Sequence, residues 1–200
     1  FNQMEAGHFE ILDSDSAFAM FNNVGFERSL QLKGGQLAGM FGAMAGDQIK
    51  EIESGQLFDA ALAVDKDDFQ YMDADSVIGM LDGMGMDQAT VLGGDRLVGM
   101  FNQCPPGHFQ NMGAEQVFQF LGGFEPDHLA DLGNEQALGI ATSMGESKIR
   151  EVEPEKLFGL TTAIEANDVD TLGSDVVTVI AEKIEVDDLA TLGTELAGAI

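Results

Sequence analysis

Three carboxylate clusters are the first residues to suggest chemistry: Asp13 with Asp15, Asp65 with Asp67 and Asp68, and Asp73 with Asp75. Closely spaced carboxylates are the ligand type of hard divalent cations, and these seven acids are the candidate metal ligands, with calcium as the implied ion. None of the three follows an EF-hand loop, which needs ligands at fixed positions, a mid-loop Gly and a closing Glu. His108 and His128, twenty residues apart, have the residue type of a transition-metal pair. The same column also holds His8, Arg28, Gln48, Asp68 and Lys148, so it reads as a solvent-facing position. Cys104 replaces Met or Val in an apolar column and reads as a buried small hydrophobe. There is no Ser/His/Asp set, no Cys/His arrangement, no phosphate-binding Gly loop and no HExxH. A carboxylate pair can always be chosen from 35 acids, so its presence discriminates nothing, and the chain reads as non-enzymatic.

The charge balance excludes further classes. Against 35 Asp plus Glu stand 9 Lys plus Arg, a formal net charge of -26. Nine scattered cations cannot build the field that displaces phosphate counterions, so nucleic acid and anionic membrane surfaces are excluded as partners. No apolar run approaches the roughly 18 residues of a membrane helix, so direct membrane insertion is not expected. Yet 44% of the 200 residues are apolar, enough for a packed core, and the single Cys excludes an internal disulfide framework.

What positions these residues is a repeat. Phe1-Asn2-Gln3-Met4 returns as Phe21-Asn22-Asn23-Val24, Phe41-Gly42-Ala43-Met44 and Phe101-Asn102-Gln103-Cys104, always at multiples of twenty. Cut every twenty residues, the chain gives ten units without insertion or deletion: 1–20, 21–40, 41–60, 61–80, 81–100, 101–120, 121–140, 141–160, 161–180 and 181–200. The fourth, twelfth, seventeenth and twentieth places are apolar in all ten, and the ninth in all but one, where Ser29 stands. From the seventeenth place through the next unit's fourth, apolar residues fall at i, i+3, i+4 and i+7, which predicts a long helix of about eleven residues. The ninth and twelfth places predict a short helix of about six. The fold class is therefore all-α: an α-solenoid of ten helix pairs, a single array that forms a rod or arc. A parallel β coil would show an apolar residue every five positions, which this spacing lacks. Phe1 falls inside an apolar stripe and Ile200 ends partway through one, so the array is expected to be part of a longer one.

Stop and start signals agree. Ser14, Asn134, Ser174 and Pro154 precede acids where the long helix begins. Asp47, Asp67, Asp87, Asp127, Asn167 and Asp187 stand ahead of the short helix. Gly93, Gly113, Gly133, Gly173 and Gly193 suit a left-handed C-cap beyond it. The nineteenth place breaks propensity: Gly39, Gly79, Gly99, Gly139 and Gly159 lie mid-helix, where Gly costs about 1 kcal/mol relative to Ala. Such a stripe lets a second backbone approach closely. That backbone is either the next long helix or another chain, for which these five glycines would be the interaction residues.

At Gly193-Thr194-Glu195-Leu196 and Pro154-Glu155-Lys156-Leu157 the chain resembles short-period bacterial α-helical tandem-repeat arrays, whose turns read like Thr-Pro-Glu-Gln-Leu. The resemblance implies a segment of a long surface or secreted protein. The expected function is therefore a structural or adhesive solenoid at the cell surface or outside the cell. The alternatives are a cytoplasmic scaffold for a peptide or basic protein, and a subunit that self-associates into fibres or sheets through bridging divalent cations.

Overall fold

The computed structural model describes residues 5–184, and every element among them is helical. The chain divides into two compact units, Phe1–Cys104 and Pro105–Ile200. In the first, longer helices Ser14–Val24, Gly34–Gly42, Ser54–Ala63, Ala74–Met84 and Gly94–Phe101 alternate with shorter ones, Ala6–His8, Phe26–Ser29, Gly46–Ile49, Lys66–Tyr71 and Met86–Ala89. In the second, Ala114–Leu121, Pro154–Thr162 and Ser174–Lys183 alternate with Pro106–Met112, Pro126–Ala130 and Ala166–Leu172. Asn134–Ile149 is a long and a short helix meeting at Gly145, whose φ of 61° and ψ of 179° break the spiral. No helix among the described residues is long and apolar enough to cross a membrane.

Three of the short helices are tighter than an α-helix. Ala6–His8, Lys66–Tyr71 and Ala166–Leu172 are 3-10 helices, closing i to i+3 in the few residues between two breaks. Their starts also differ from the expectation. The residue before each short helix is the fifth of its unit, not the seventh: Ala45, Asp65, Glu125 and Glu165 all have extended backbone, with ψ of 148°, 159°, 162° and 141°. Asp47, Asp67, Asp87 and Asp127 lie inside the first turn, where they still complement the helix dipole. Long helices likewise start one residue earlier than expected. Asp13, Gly133 and Gly173 are the N-caps, and Ser14, Asn134 and Ser174 are already helical.

Of the expected glycine C-caps, Gly113 closes Pro106–Met112 and Gly173 closes Ala166–Leu172, but the conformation differs from a left-handed cap. Gly93, Gly113 and Gly173 do have positive φ, but with ψ of 145°, 155° and 148°, which turns the chain directly into the next long helix. All three are N-caps of that helix, Gly113 and Gly173 in addition to closing the short one, and none makes a left-handed helical turn. Gly133 has φ of -65° and needs no glycine freedom. Gly193 and Asp187 lie outside the described residues.

The core follows the apolar columns. Phe9, Ile49, Phe69, Phe109, Leu129 and Ile149, all ninth-place residues, are fully buried. Burial of each contributes about 1.5–3 kcal/mol relative to an exposed side chain. Ser29 is just as buried, and its hydroxyl donates to the Gly25 carbonyl at 3.2 Å, so this polar exception leaves no unpaired group.

The packing register is not twenty residues. Each long helix that carries a nineteenth-place glycine seats it on the start of a short helix thirty-three residues earlier. Gly39 lies against Ala6, Gly79 against Gly46, Gly99 against Lys66, Gly139 against Pro106 and Gly159 against Pro126. Polar ties span similar distances. Ser76 Oγ donates to the Met44 carbonyl at 2.9 Å, Lys50 pairs with Asp82 at 2.8 Å, and Lys148 pairs with Glu115 at 2.7 Å. Exposed pairs of this kind stabilise by about 0–1 kcal/mol, so they set register more than stability.

Candidate functional site

The carboxylate clusters are placed by the helix starts they cap. Asp13 Oδ1 accepts the Ser16 amide and Asp73 Oδ1 accepts the Ser76 amide, each at 2.8 Å. Asp75 Oδ2 accepts the Gly46 amide at 2.7 Å, and Asp15 Oδ1 accepts Gln48 Nε2 at 2.8 Å. Asp65 precedes Lys66–Tyr71, while Asp67 and Asp68 lie in its first turn. Asp65 and Asp67 also border a surface depression of about 540 Å³ with Lys66, Asp95 and Arg96. Among the described residues no three His, Cys, Asp or Glu side chains are grouped to hold a metal ion.

Two of these acids respond to pH in opposite directions. The Ser16 amide holds Asp13 below its ordinary carboxylate range. Stability from that cap is present above the unfolded pKa and is lost as pH falls through the folded one. Asp68 is pushed up by partial burial and then by the charges of Asp65 and Asp67. Its ionised form opposes folding, so the deficit is present at neutral pH and disappears as Asp68 protonates. Asp68→Asn is therefore expected to raise the melting temperature at pH 7, with the gain shrinking toward zero in acid; an equal gain at every pH would contradict this assignment.

His8, His128 and the cysteine are structural. His8 Nδ1 accepts the Glu5 amide at 2.7 Å and His128 Nδ1 accepts the Glu125 amide at 3.0 Å. Gln48 Oε1 does the same for Ala45 at 3.1 Å, so in these three units the eighth place reaches back to satisfy an orphan amide at the helix start. Cys104 is buried, its thiol pushed up to about 12 by desolvation and secondarily by Asp82, which removes the thiolate a nucleophile needs.

The five glycines proposed as interaction residues are corrected by the packing. All five are buried, and each is occupied by a short helix of the same chain. The stripe is neither a docking groove nor a contact between successive long helices.

Sequence reading missed a different place. In the second unit, Phe118, Leu121 and Val152 form the apolar part of a pocket of about 230 Å³, with Gln119, Gly122, Glu151, Glu153 and Lys156 around it. Lys156 Nζ donates to the Leu121 carbonyl at 3.0 Å, fixing the two sides together. Lys148 Nζ sits 4.9 Å from the Phe118 ring centroid and pairs with Glu151 at 3.2 Å. The register-equivalent cation of the first unit makes a similar tie. Arg96 donates to the carbonyls of Leu62 at 2.9 Å and Val64 at 3.2 Å. Here Leu62 is 39% and Val91 67% exposed. A signal was available: Arg96 and Lys156 are the cations of the sixteenth column, and Asp59 and Gln119 the polar residues of the nineteenth, each pair sixty residues apart. Both Asp59 and Gln119 are exposed where glycine is elsewhere buried.

No protein-family model matches the chain, and no curated protein matches it.

Proposed function

We propose that the chain is a non-enzymatic α-solenoid of ten twenty-residue helix pairs, acting as a structural or adhesive element of a long repetitive protein at the cell surface or outside the cell. The observation that supports this reading is the recurring seat of Gly39, Gly79, Gly99, Gly139 and Gly159 on a short helix thirty-three residues earlier. A helix pair tied this way has no stability alone and gains it from its neighbours, which suits a length-determining spacer.

The test is excision. Removing residues 41–60, one whole unit, is expected to leave a helical chain with a cooperative melt at lower stability. Removing 41–50 puts every later helix out of register and is expected to abolish that melt. Equal tolerance of both deletions, followed by circular dichroism, would sink the solenoid. For the spacer role, whole-unit deletion should shorten the reach of the parent protein without changing what it attaches to.

A second reading, a scaffold for a basic protein partner, is favoured by how the cations are spent. Lys50, Lys148 and Arg150 pair with acids of the same chain, and Arg96, Lys156 and Lys183 donate to its carbonyls. The acids therefore face outward with little compensation.

A further inference from the structure

We propose that the pocket bordered by Phe118, Leu121 and Val152 is a docking site for a linear, basic segment of a partner protein, which inserts one apolar side chain there. The proposal rests on the scaffold reading above and supplies its site. Volume decides the size of the occupant. At about 230 Å³ the pocket is below the roughly 300–1,000 Å³ that encloses a drug-sized ligand, but it has room for one aliphatic or aromatic side chain. The apolar floor selects such an anchor: Leu121 and Val152 are each only 3% exposed and Phe118 is a half-buried wall.

Charge decides the rest of the occupant. Glu151 and Glu153 are exposed at the mouth. The two neighbouring ammonium groups are engaged inside the chain, Lys156 with the Leu121 carbonyl and Lys148 with Glu115 and Glu151. On a chain of net charge -26, cationic residues flanking the anchor gain and anionic ones lose. The first unit does not repeat this chemistry: sixty residues earlier, Val91 and Gly93 stand where Glu151 and Glu153 are, and Ala61 where Leu121 is. The second unit thus offers the site, and Gln119 marks it.

The experiment uses the full 200-residue chain and a fluorescein-labelled ten-residue lysine peptide carrying one central leucine. Its control is the same peptide with serine for leucine, followed by anisotropy and calorimetry at 0.15 M salt. The leucine peptide is expected to bind at least tenfold tighter than the serine peptide, with one bound per chain. Gln119→Arg and Phe118→Ala are each expected to abolish that preference, while Asp59→Arg, in the first unit, leaves it in place. Gln119 and Asp59 are both exposed, so the charge variants remain informative if Phe118→Ala fails to fold. Equal binding of the leucine and serine peptides, or an unchanged preference in Gln119→Arg, would overturn the proposal. A chain that tolerates whole-unit excision yet ignores the leucine peptide loses the docking site and keeps the solenoid.

Discussion

Gly159→Ala and Gly79→Ala are each expected to destabilise their unit by about 1–3 kcal/mol, the range for overpacking a close contact. Elsewhere in a helix the same change is stabilising by up to about 1 kcal/mol, because Ala loses less backbone freedom than Gly. The sign reverses because of what the new methyl meets. At Gly79 it would lie 2.6 Å from the Gly46 carbonyl oxygen and 2.7 Å from its Cα. At Gly159 it would collide with the Pro126 carbonyl oxygen, again backbone that cannot swing aside. Gly55, in Ser54–Ala63, has nothing within 4 Å of the equivalent point, so Gly55→Ala is the internal control and should stabilise. Thermal melts read both signs, each 1 kcal/mol being worth about 4–8 °C in a unit of this size. A stabilising Gly79→Ala would remove the close approach from the account of the fold.

Phe109→Ala carries the larger loss, about 3–5 kcal/mol, as expected for truncating a buried Phe. Phe109 is fully buried in Pro106–Met112, and its ring edge lies 3.0 Å from where a Gly139 methyl would stand. Truncation therefore empties the contact between a short helix and the long helix that covers it. Urea melts should show the midpoint falling with an unchanged slope if the unit still unfolds as one. A loss below 1 kcal/mol would mean that the site collapses to fill the space.

The helix alternation was readable from apolar columns because burial constrains residue type directly. Phe9, Phe69 and Phe109 recur in the ninth place for the same reason that they are buried. The starts of the short helices were harder to read. Ala45, Asp65, Gly85 and Pro105 share that position because they share an extended ψ, and a backbone angle leaves only a weak trace in side-chain type. The partner of the glycine column was hidden for another reason. A period of twenty invites pairing of equivalent places, whereas Gly99 meets Lys66, a nineteenth place on a sixth. The apolar pocket left its sign in what interrupts the repeat, Asp59 and Gln119 among glycines, so the informative residues were those that broke the pattern.

The thirty-three-residue seat also fixes an order of events during synthesis. A short helix such as Gly46–Ile49 emerges from the ribosome thirty-three residues ahead of Gly79, the glycine seated on it. At roughly 5–20 residues per second, that interval is about 2–7 s. Throughout translation the newest stretch of chain therefore carries apolar residues still awaiting cover. In the array proposed above, its extent stays the same however many units have already formed, so a longer array takes longer to make without enlarging the surface exposed to wrong partners at any moment.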